Sequence, residues 1–266
     1  MRLIDMHTHI FPEKIAEKTL SRLGGIINYT PTTNGLKDGL IQSQKEAGID
    51  LSVVLPVATK VEQFESVNRF ALTMQEGPLL SLGGIHPADE NYKEHLRFIK
   101  DSGLKGIKLH PDYQEMYFDD IRMKRLISYA SELDLIVVTH AGVDPVSPED
   151  VHCKCKMIRG FVREVQPTKL VLAHMGIGSG KDLEYLKDYI VGEDVYLDTA
   201  YMLQKIPKED VIYTFTHHNP DKIMFGTDCP WSSQKEDADY FMNLNIDSEL
   251  KEKIAWKNAA KLLEII

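Results

Sequence analysis

Eight short apolar runs, each followed by a charged stretch of helical period, recur about every 25 to 30 residues, and this alternation constrains the fold more than any other feature. The runs start at Arg2 (RLIDMHTH), Asp50 (DLSVVLPV), Leu79 (LLSLGGIH), Leu104 (LKGIKLHP), Leu135 (LIVVTHAG), Lys169 (KLVLAHMG), Val195 (VYLDTAY) and Ile223 (IMFGTDCP). The periodicity predicts helices over 36–48, 60–75, 91–102, 119–133, 150–165, 181–191, 208–218 and 249–265. Strands that return in one direction through crossover helices make a parallel sheet. Eight such units in 266 residues predict an α/β fold, a single-domain (β/α)8 TIM barrel spanning 1–266. The rival, an open doubly wound sheet, carries a glycine fingerprint after its first strand, whereas here that strand ends in histidines. One stretch breaks the rhythm: GVDPVSPED, from Gly142 to Asp150, predicts a longer loop overhanging the barrel mouth.

A parallel strand buried on both faces should be almost wholly apolar, so ionisable residues at strand ends require a reason. They stand at nearly every C-terminal end: His7 and His9, His86, Lys108 and His110, His140, His174, Asp198 and Asp228. In a barrel these ends converge on one mouth, where active sites of this architecture lie. His7 and His9 are two apart and point the same way along a strand, the arrangement of two ligands to one divalent cation. Asp5 should share that parity one layer deeper and support the imidazoles or the barrel floor without binding metal. Asp228, in FGTDCP, is a carboxylate placed to bind an ion and exchange a proton, or to cap the following turn.

Lys108 has three readings: a carbamylated bridge between two ions, an anchor for a substrate carboxylate, or a chain snorkelling to solvent. His110 and His86 stand between a supporting contact and a rim position, and His152 is placed to reach a substrate from the loop-to-helix boundary. The neighbouring Cys153 and Cys155 lack zinc-knuckle spacing and a second cysteine pair. MGIGSGKD, from Met175, lacks the glycine and the hydroxyl residue that a phosphate loop needs, so Gly176, Gly178 and Gly180 read as tight-turn residues. Trp231 divides evenly between pocket wall and core.

Lys plus Arg total 31 against 40 for Asp plus Glu, and the formal charge of −9 disfavours nonspecific binding to nucleic acid or an anionic membrane. No run has the roughly 20 apolar residues of a membrane span, and no secretory signal is evident. Three cysteines are too few for a disulfide scaffold. The expectation is a soluble cytoplasmic protein that acts on a small molecule, without nucleic-acid or membrane partners, and compatible with a homo-oligomer.

DMHTH, VVTHAG, LAHMG and FGTDCPW resemble the metal-site motifs of the amidohydrolase superfamily. GIKLHP, DPVSPE and the final WKNAAKLLEI resemble its amidohydrolase-related branch, which contains metal-dependent hydrolases and non-oxidative decarboxylases of the aminocarboxymuconate-semialdehyde type. The resemblance spans essentially the whole chain. It implies that His7, His9, His140 and Asp228 bind the metal, with His174 as polariser or additional ligand. GGIHP is also similar to two-metal DNases of the TatD type, but those carry a bridging glutamate where this chain has KGIKLHPD, which argues against such a nuclease. Histidine and carboxylate ligands suit one ion, zinc first with manganese or iron as alternatives, and two if Lys108 is carbamylated. The leading expectation is a hydrolase that attacks an amide, lactone or ester of an anionic substrate with metal-activated water. Asp228 and His174 would be catalytic, and Lys108, His110, His152 and His86 would bind substrate. The alternative is a metal-dependent non-oxidative decarboxylase; less favoured is a non-catalytic metal- or ligand-binding barrel.

Overall fold

A computed structural model describes all residues, Met1–Ile266. Its strands are β1 (Ile4–Thr8), β2 (Leu51–Val54), β3 (Leu79–Ser81), β4 (Gly83–Gly84), β5 (Gly106–Leu109), β6 (Ile136–Thr139), β7 (Leu170–Leu172), β8 (Tyr196–Asp198) and β9 (Ile223–Met224). All pair in parallel, in two ladders ordered β1-β2-β3 and β4 to β9. The ladders meet within one barrel strand: β3 pairs with β2, and two residues later β4 pairs with β5. At the other seam the Met6 N–H donates to the Phe225 carbonyl, and Thr8 bridges Cys229. The sheet therefore closes into the expected eight-position barrel.

Ile4, Met6, Val53, Leu55, Leu82, Ile136, Val138, Val171 and Met224 pack inside the barrel, together with Ala259, Ala260, Leu262 and Leu263 from the C-terminal end of the chain, which plug its floor. Ile107, Leu109, Leu172 and Leu197 belong to the larger cluster between sheet and helices. This division leaves Lys108, His140 and Asp198 on the inward parity of their strands, above the apolar floor.

Asp5 departs from expectation. The β1 register shifts between Asp5 and Thr8, a bulge that resets side-chain parity. Met6 points inward, while the Asp5 carboxylate shares Gln234 with Ser52, on the helix side of the sheet. Asp5 also accepts hydrogen bonds from the Thr227 N–H and hydroxyl, so it braces the segment carrying Asp228 from behind.

Two helices escape the periodicity. α1 (Glu13–Ile27) buries only Ala16, Leu20 and Gly24, too thin a stripe to stand out; α2 (Lys37–Ala47) follows it as predicted. α4 (Gln234–Met242) buries Gln234 and Asp237 beside Ala238 and Phe241, and its polar contacts erase the apolar pattern. The helix expected from 150 starts only at Cys155, as α3 (Cys155–Val165), so the loop after β6 runs longer than predicted. No helix is long and apolar enough to cross a membrane.

Candidate active site

His7, at the end of β1, and His9, just beyond it, project into the mouth of the barrel beside Asp228. His7 Nε2 lies 3.1 Å from His9 Nε2 and 3.3 Å from Asp228 Oδ1, and the His9 nitrogen is 3.2 Å from the same oxygen. The opposite ring nitrogens decide what these atoms are. His9 Nδ1 donates to the Leu55 carbonyl at 3.0 Å, and His7 Nδ1 donates to Asp198 Oδ2 at 2.9 Å. Each Nδ1 therefore carries the proton, and two imidazole lone pairs and a carboxylate oxygen face one point.

Such a convergence is repulsive unless a positive charge lies between the atoms. Ligands about 2.1 Å from one ion stand roughly 3.0 Å apart when cis in an octahedron and 3.4 Å in a tetrahedron. The three edges fall in that interval, so the residues fit a divalent cation. Burial, then the nearby Lys108 charge, lowers the His7 pKa well below its usual value and keeps the imidazole in its neutral, ligating form. Asp198 also accepts the His174 and Ala200 N–H groups through its other oxygen, which fixes the carboxylate that orients His7.

Lys108 is fully buried on β5, with Nζ 3.4 Å from His7 Nε2. Burial pulls its pKa down to about 8, against the opposing pull of Asp198, Asp228 and Asp144. The snorkelling reading is thus corrected, since the ammonium is enclosed among inward-facing carboxylates.

His140 stands apart from the His7, His9 and Asp228 group. Its Nε2 is 3.8 Å from Asp144 Oδ2, and His110 Nε2 is 3.4 Å from the same oxygen. The His110 and His140 rings stack at 4.2 Å and 11°, and Tyr113 stacks on His110 at 3.7 Å. Burial first of all lowers the pKa of both histidines well below the usual value. His174 links the two groups, with ring centroids 5.0 Å from His7 and 4.7 Å from His140. Its Nδ1 donates to the Ala200 carbonyl, which again leaves Nε2 as an acceptor.

Asp144 is the residue that sequence reasoning passed over. It lies inside the GVDPVSPED loop, four positions after His140; an acidic residue so soon after a mouth histidine was the available signal. His152 accompanies another carboxylate: its Nδ1 contacts Asp112 Oδ1 at 3.1 Å and its ring stacks on Tyr117. Asp112 also receives Ser147, so His152 is engaged in tying the loop after β6 to the one after β5. His86 accepts the Ala88 N–H within its own turn and belongs to neither histidine cluster.

Three of the nine non-glycine residues with positive φ lie at the candidate site. His174 and Met175 (φ 57° and 55°) and Asp228 (φ 73°) occupy the left-handed region, which costs non-glycine residues about 1–3 kcal/mol each. Glycines in the loops after β6 and β7 serve close packing: a Cβ on Gly178 would meet the Val143 carbonyl oxygen at 2.4 Å, and one on Gly142 would meet that of Ile177 at 1.8 Å. The tight-turn role foreseen for Gly176 and Gly178 accords with their positive φ values.

The family model described as Amidohydrolase matches residues 4–265. The chain belongs to the amidohydrolase family. A search of curated proteins finds no match. Among solved structures, this amidohydrolase is similar to 2,6-dihydroxybenzoate decarboxylase complexed with 2,6-dihydroxybenzoate: 16% identity, TM-score 0.75, coverage 99% of this chain and 100% of the other. The 5-carboxyvanillate decarboxylase of Novosphingobium aromaticivorans, complexed with manganese and 4-hydroxy-3-methoxy-5-nitrobenzoic acid, has 16% identity and TM-score 0.75, with 99% and 96% of the two chains covered. A putative amidohydrolase from Staphylococcus aureus has 17% identity and TM-score 0.72, with 99% and 100% covered. At these identities the likeness establishes the shared barrel fold.

Proposed function

We propose that this amidohydrolase is a metal-dependent, non-oxidative decarboxylase of a small carboxylic acid. The observation that carries the reading is the convergence of the His7, His9 and Asp228 acceptors beside the buried Lys108 ammonium. That is a cation site next to an anion site. The structural likeness to decarboxylases described with manganese and aromatic acids supports carbon–carbon cleavage over the hydrolysis expected first.

His7, His9 and Asp228 would hold the ion, with His140 and His174 bordering it. A divalent ion there, manganese or zinc, supplies positive charge that stabilises the electrons left on the substrate when carbon dioxide departs. Lys108 holds the substrate's anionic group through its ammonium, whose burial strengthens the pairing. Asp198 keeps His7 in its ligating tautomer. As the bond to the carboxyl carbon breaks, its electron pair remains on the substrate carbon and is captured by a proton. Asp228, holding the ion through Oδ1, would relay that proton from water at the mouth through its other oxygen.

The second reading is hydrolysis of an amide, lactone or ester, favoured by the family to which the chain belongs. A single assay separates the two. Protein loaded with manganese is incubated with a panel of hydroxybenzoates, unsaturated dicarboxylates and lactones, and both carbon dioxide and hydrolysis products are measured. The decarboxylase reading expects carbon dioxide from at least one acid, abolished in Asp228→Asn. Hydrolysis products without carbon dioxide from any substrate would overturn it.

A further inference from the structure

Away from the barrel mouth, one patch of the outer wall gathers positive charge that the fold leaves unneutralised. The helix Tyr92–Asp101 precedes β5 and the helix Ile121–Glu132 follows it. The two pack side by side through Tyr92 and Tyr129, whose rings meet edge to face at 6.1 Å and 87°. Lys93 Nζ lies 5.2 Å from the centre of the Tyr129 ring. Arg97, one turn on, lies 5.9 Å from the same ring and donates to its hydroxyl at 2.7 Å. Arg125 covers Tyr92 at 4.9 Å, and its buried Nε–H has no hydrogen-bond partner. Three other cations over tyrosine rings are also paired, Arg159 with Glu193, Lys187 with Asp210 and Lys222 with Asp194. Lys205, over Tyr201, is unpaired but solitary. No carboxylate oxygen lies within 4.0 Å of the charged nitrogens of Lys93, Arg97 or Arg125. Asp120, five residues before Arg125, is held through both oxygens by Arg122. At the far end of the first helix Lys100 lines a small cavity with Lys105 and Lys169, but there Glu264 and Asp134 neutralise the other two lysines. The patch around the two tyrosines has no such relief, in a chain whose formal charge is −9.

We propose that Lys93, Arg97 and Tyr129 form a binding site for a phosphate group, with Arg125 adding positive potential from the Tyr92 side. Like charges four residues apart on a helix repel, and here they share one ring without a counter-ion. A carboxylate would balance one of the three charges, whereas a phosphate carries about −1.5 to −2 at neutral pH and presents at least three acceptor oxygens. Arg97 spends one N–H on Tyr129, which leaves the edge formed by Nε and Nη2 for two of those oxygens. The Tyr129 hydroxyl accepts from Arg97 and keeps its own proton to donate. Lys93, exposed on the same helix, supplies a point charge. Cations already lie over both rings, so the site offers no platform for stacking a base, and recognition is of the phosphate itself, free or as the ester of a small molecule. The net charge of the chain repels a long polyanion, which confines the ligand to a small one. A phosphate held here ties together the helices on either side of β5, the strand that carries Lys108. The site shares no residue with the His7, His9 and Asp228 group and does not rest on the function proposed above.

The test is calorimetric titration of the manganese-loaded protein with inorganic phosphate and with glycerol 3-phosphate, against sodium chloride at matched ionic strength. At least one phosphate should saturate the protein with a Kd of about 1 mM or tighter, and chloride should not. Arg97→Gln and Lys93→Gln should each weaken that binding about 10-fold or more, the range of a charge-assisted hydrogen bond, while manganese content and the unfolding temperature without phosphate stay at wild-type values. Lys208→Gln, which removes an exposed, unpaired charge from another helix, should leave the affinity unchanged. Equal affinity for the two phosphates identifies the free ion as a sufficient ligand, and tighter binding of the ester identifies an organic phosphate; either supports the site. Failure of both phosphates to saturate by about 10 mM overturns it. So does binding that survives both Arg97→Gln and Lys93→Gln, since the phosphate then sits elsewhere, at Lys108 and the ion. Equal weakening in Lys208→Gln overturns it too, because the effect is then one of net charge alone.

Discussion

At the level of single residues, the candidate metal site depends on which nitrogen of each imidazole carries a proton, and Asp198 decides this for His7. Its Oδ2 takes the His7 Nδ1 proton while Oδ1 takes two backbone N–H groups. In Asp198→Asn the oxygen goes to those backbone donors, and the amide NH2 faces His7 Nδ1. The imidazole must then move its proton to Nε2, where it blocks ligation. Such orienting partners typically contribute 10- to 100-fold in metal affinity, so Asp198→Asn should weaken manganese binding about that much, measured by competition with a fluorescent chelator. Unchanged affinity would show that His7 does not bind the ion through Nε2. His7, His9 and Asp228 were legible in the sequence because spacing and strand-end position are sequence properties. Asp144 was not, because its contact with His110 depends on how a proline-rich loop folds back. Asp5 was misread in parity because a bulge leaves no mark in a five-residue strand.

At the level of elements, the loops after β6 and β7 interlock through glycines. Gly142, at φ 83°, has the Ile177 carbonyl oxygen where a Cβ would stand. Gly142→Ala therefore meets both backbone strain and a clash, and should lower the free energy of unfolding in urea by at least about 2 kcal/mol. It should also disturb Asp144, two residues on. Docking of α4 presents a different case, since it buries Asp237 against Ser232 and Gln204. Burial raises the Asp237 pKa to about 6 from an ordinary 3.8, against the opposing effect of those hydrogen bonds. The folded state thus holds this proton more tightly than the unfolded chain. The associated stability is fully present below about pH 3.8 and is lost as pH rises through 6. Relative to wild type, Asp237→Asn should gain in unfolding temperature between pH 4 and pH 7, and a difference that is flat over that interval would contradict the shift. The same burial of polar groups hid α4 from sequence periodicity, whereas the runs that became strands were visible because parallel strands must be apolar on both faces.

At the level of the whole molecule, the site lies on the seam that closes the barrel. His7 and His9 come from the first strand and its exit, and Asp228 follows the last strand. Between these segments the chain makes few backbone bonds: Met6 N–H to Phe225, Asp228 N–H to His7 and His9 N–H to Cys229. An ion held by all three side chains adds a cross-link between the two ends of the barrel. A ligand at 100 times its dissociation constant stabilises the folded state by about 2.7 kcal/mol, or roughly 5–10 °C in unfolding temperature for a chain of this size. Adding manganese to chelator-treated protein should restore that increment in wild type and much less of it in Asp228→Asn. Hydrogen exchange locates the effect. If the ion closes the seam, its removal should speed exchange first at the amides of Met6, His9 and Asp228, while the β5-β6 amides on the far side of the barrel, such as His140 N–H to Leu109, keep their protection. Uniform loss of protection around the barrel would mean that the ion stabilises the fold without serving as its clasp. Metal binding and barrel closure would then be separate properties.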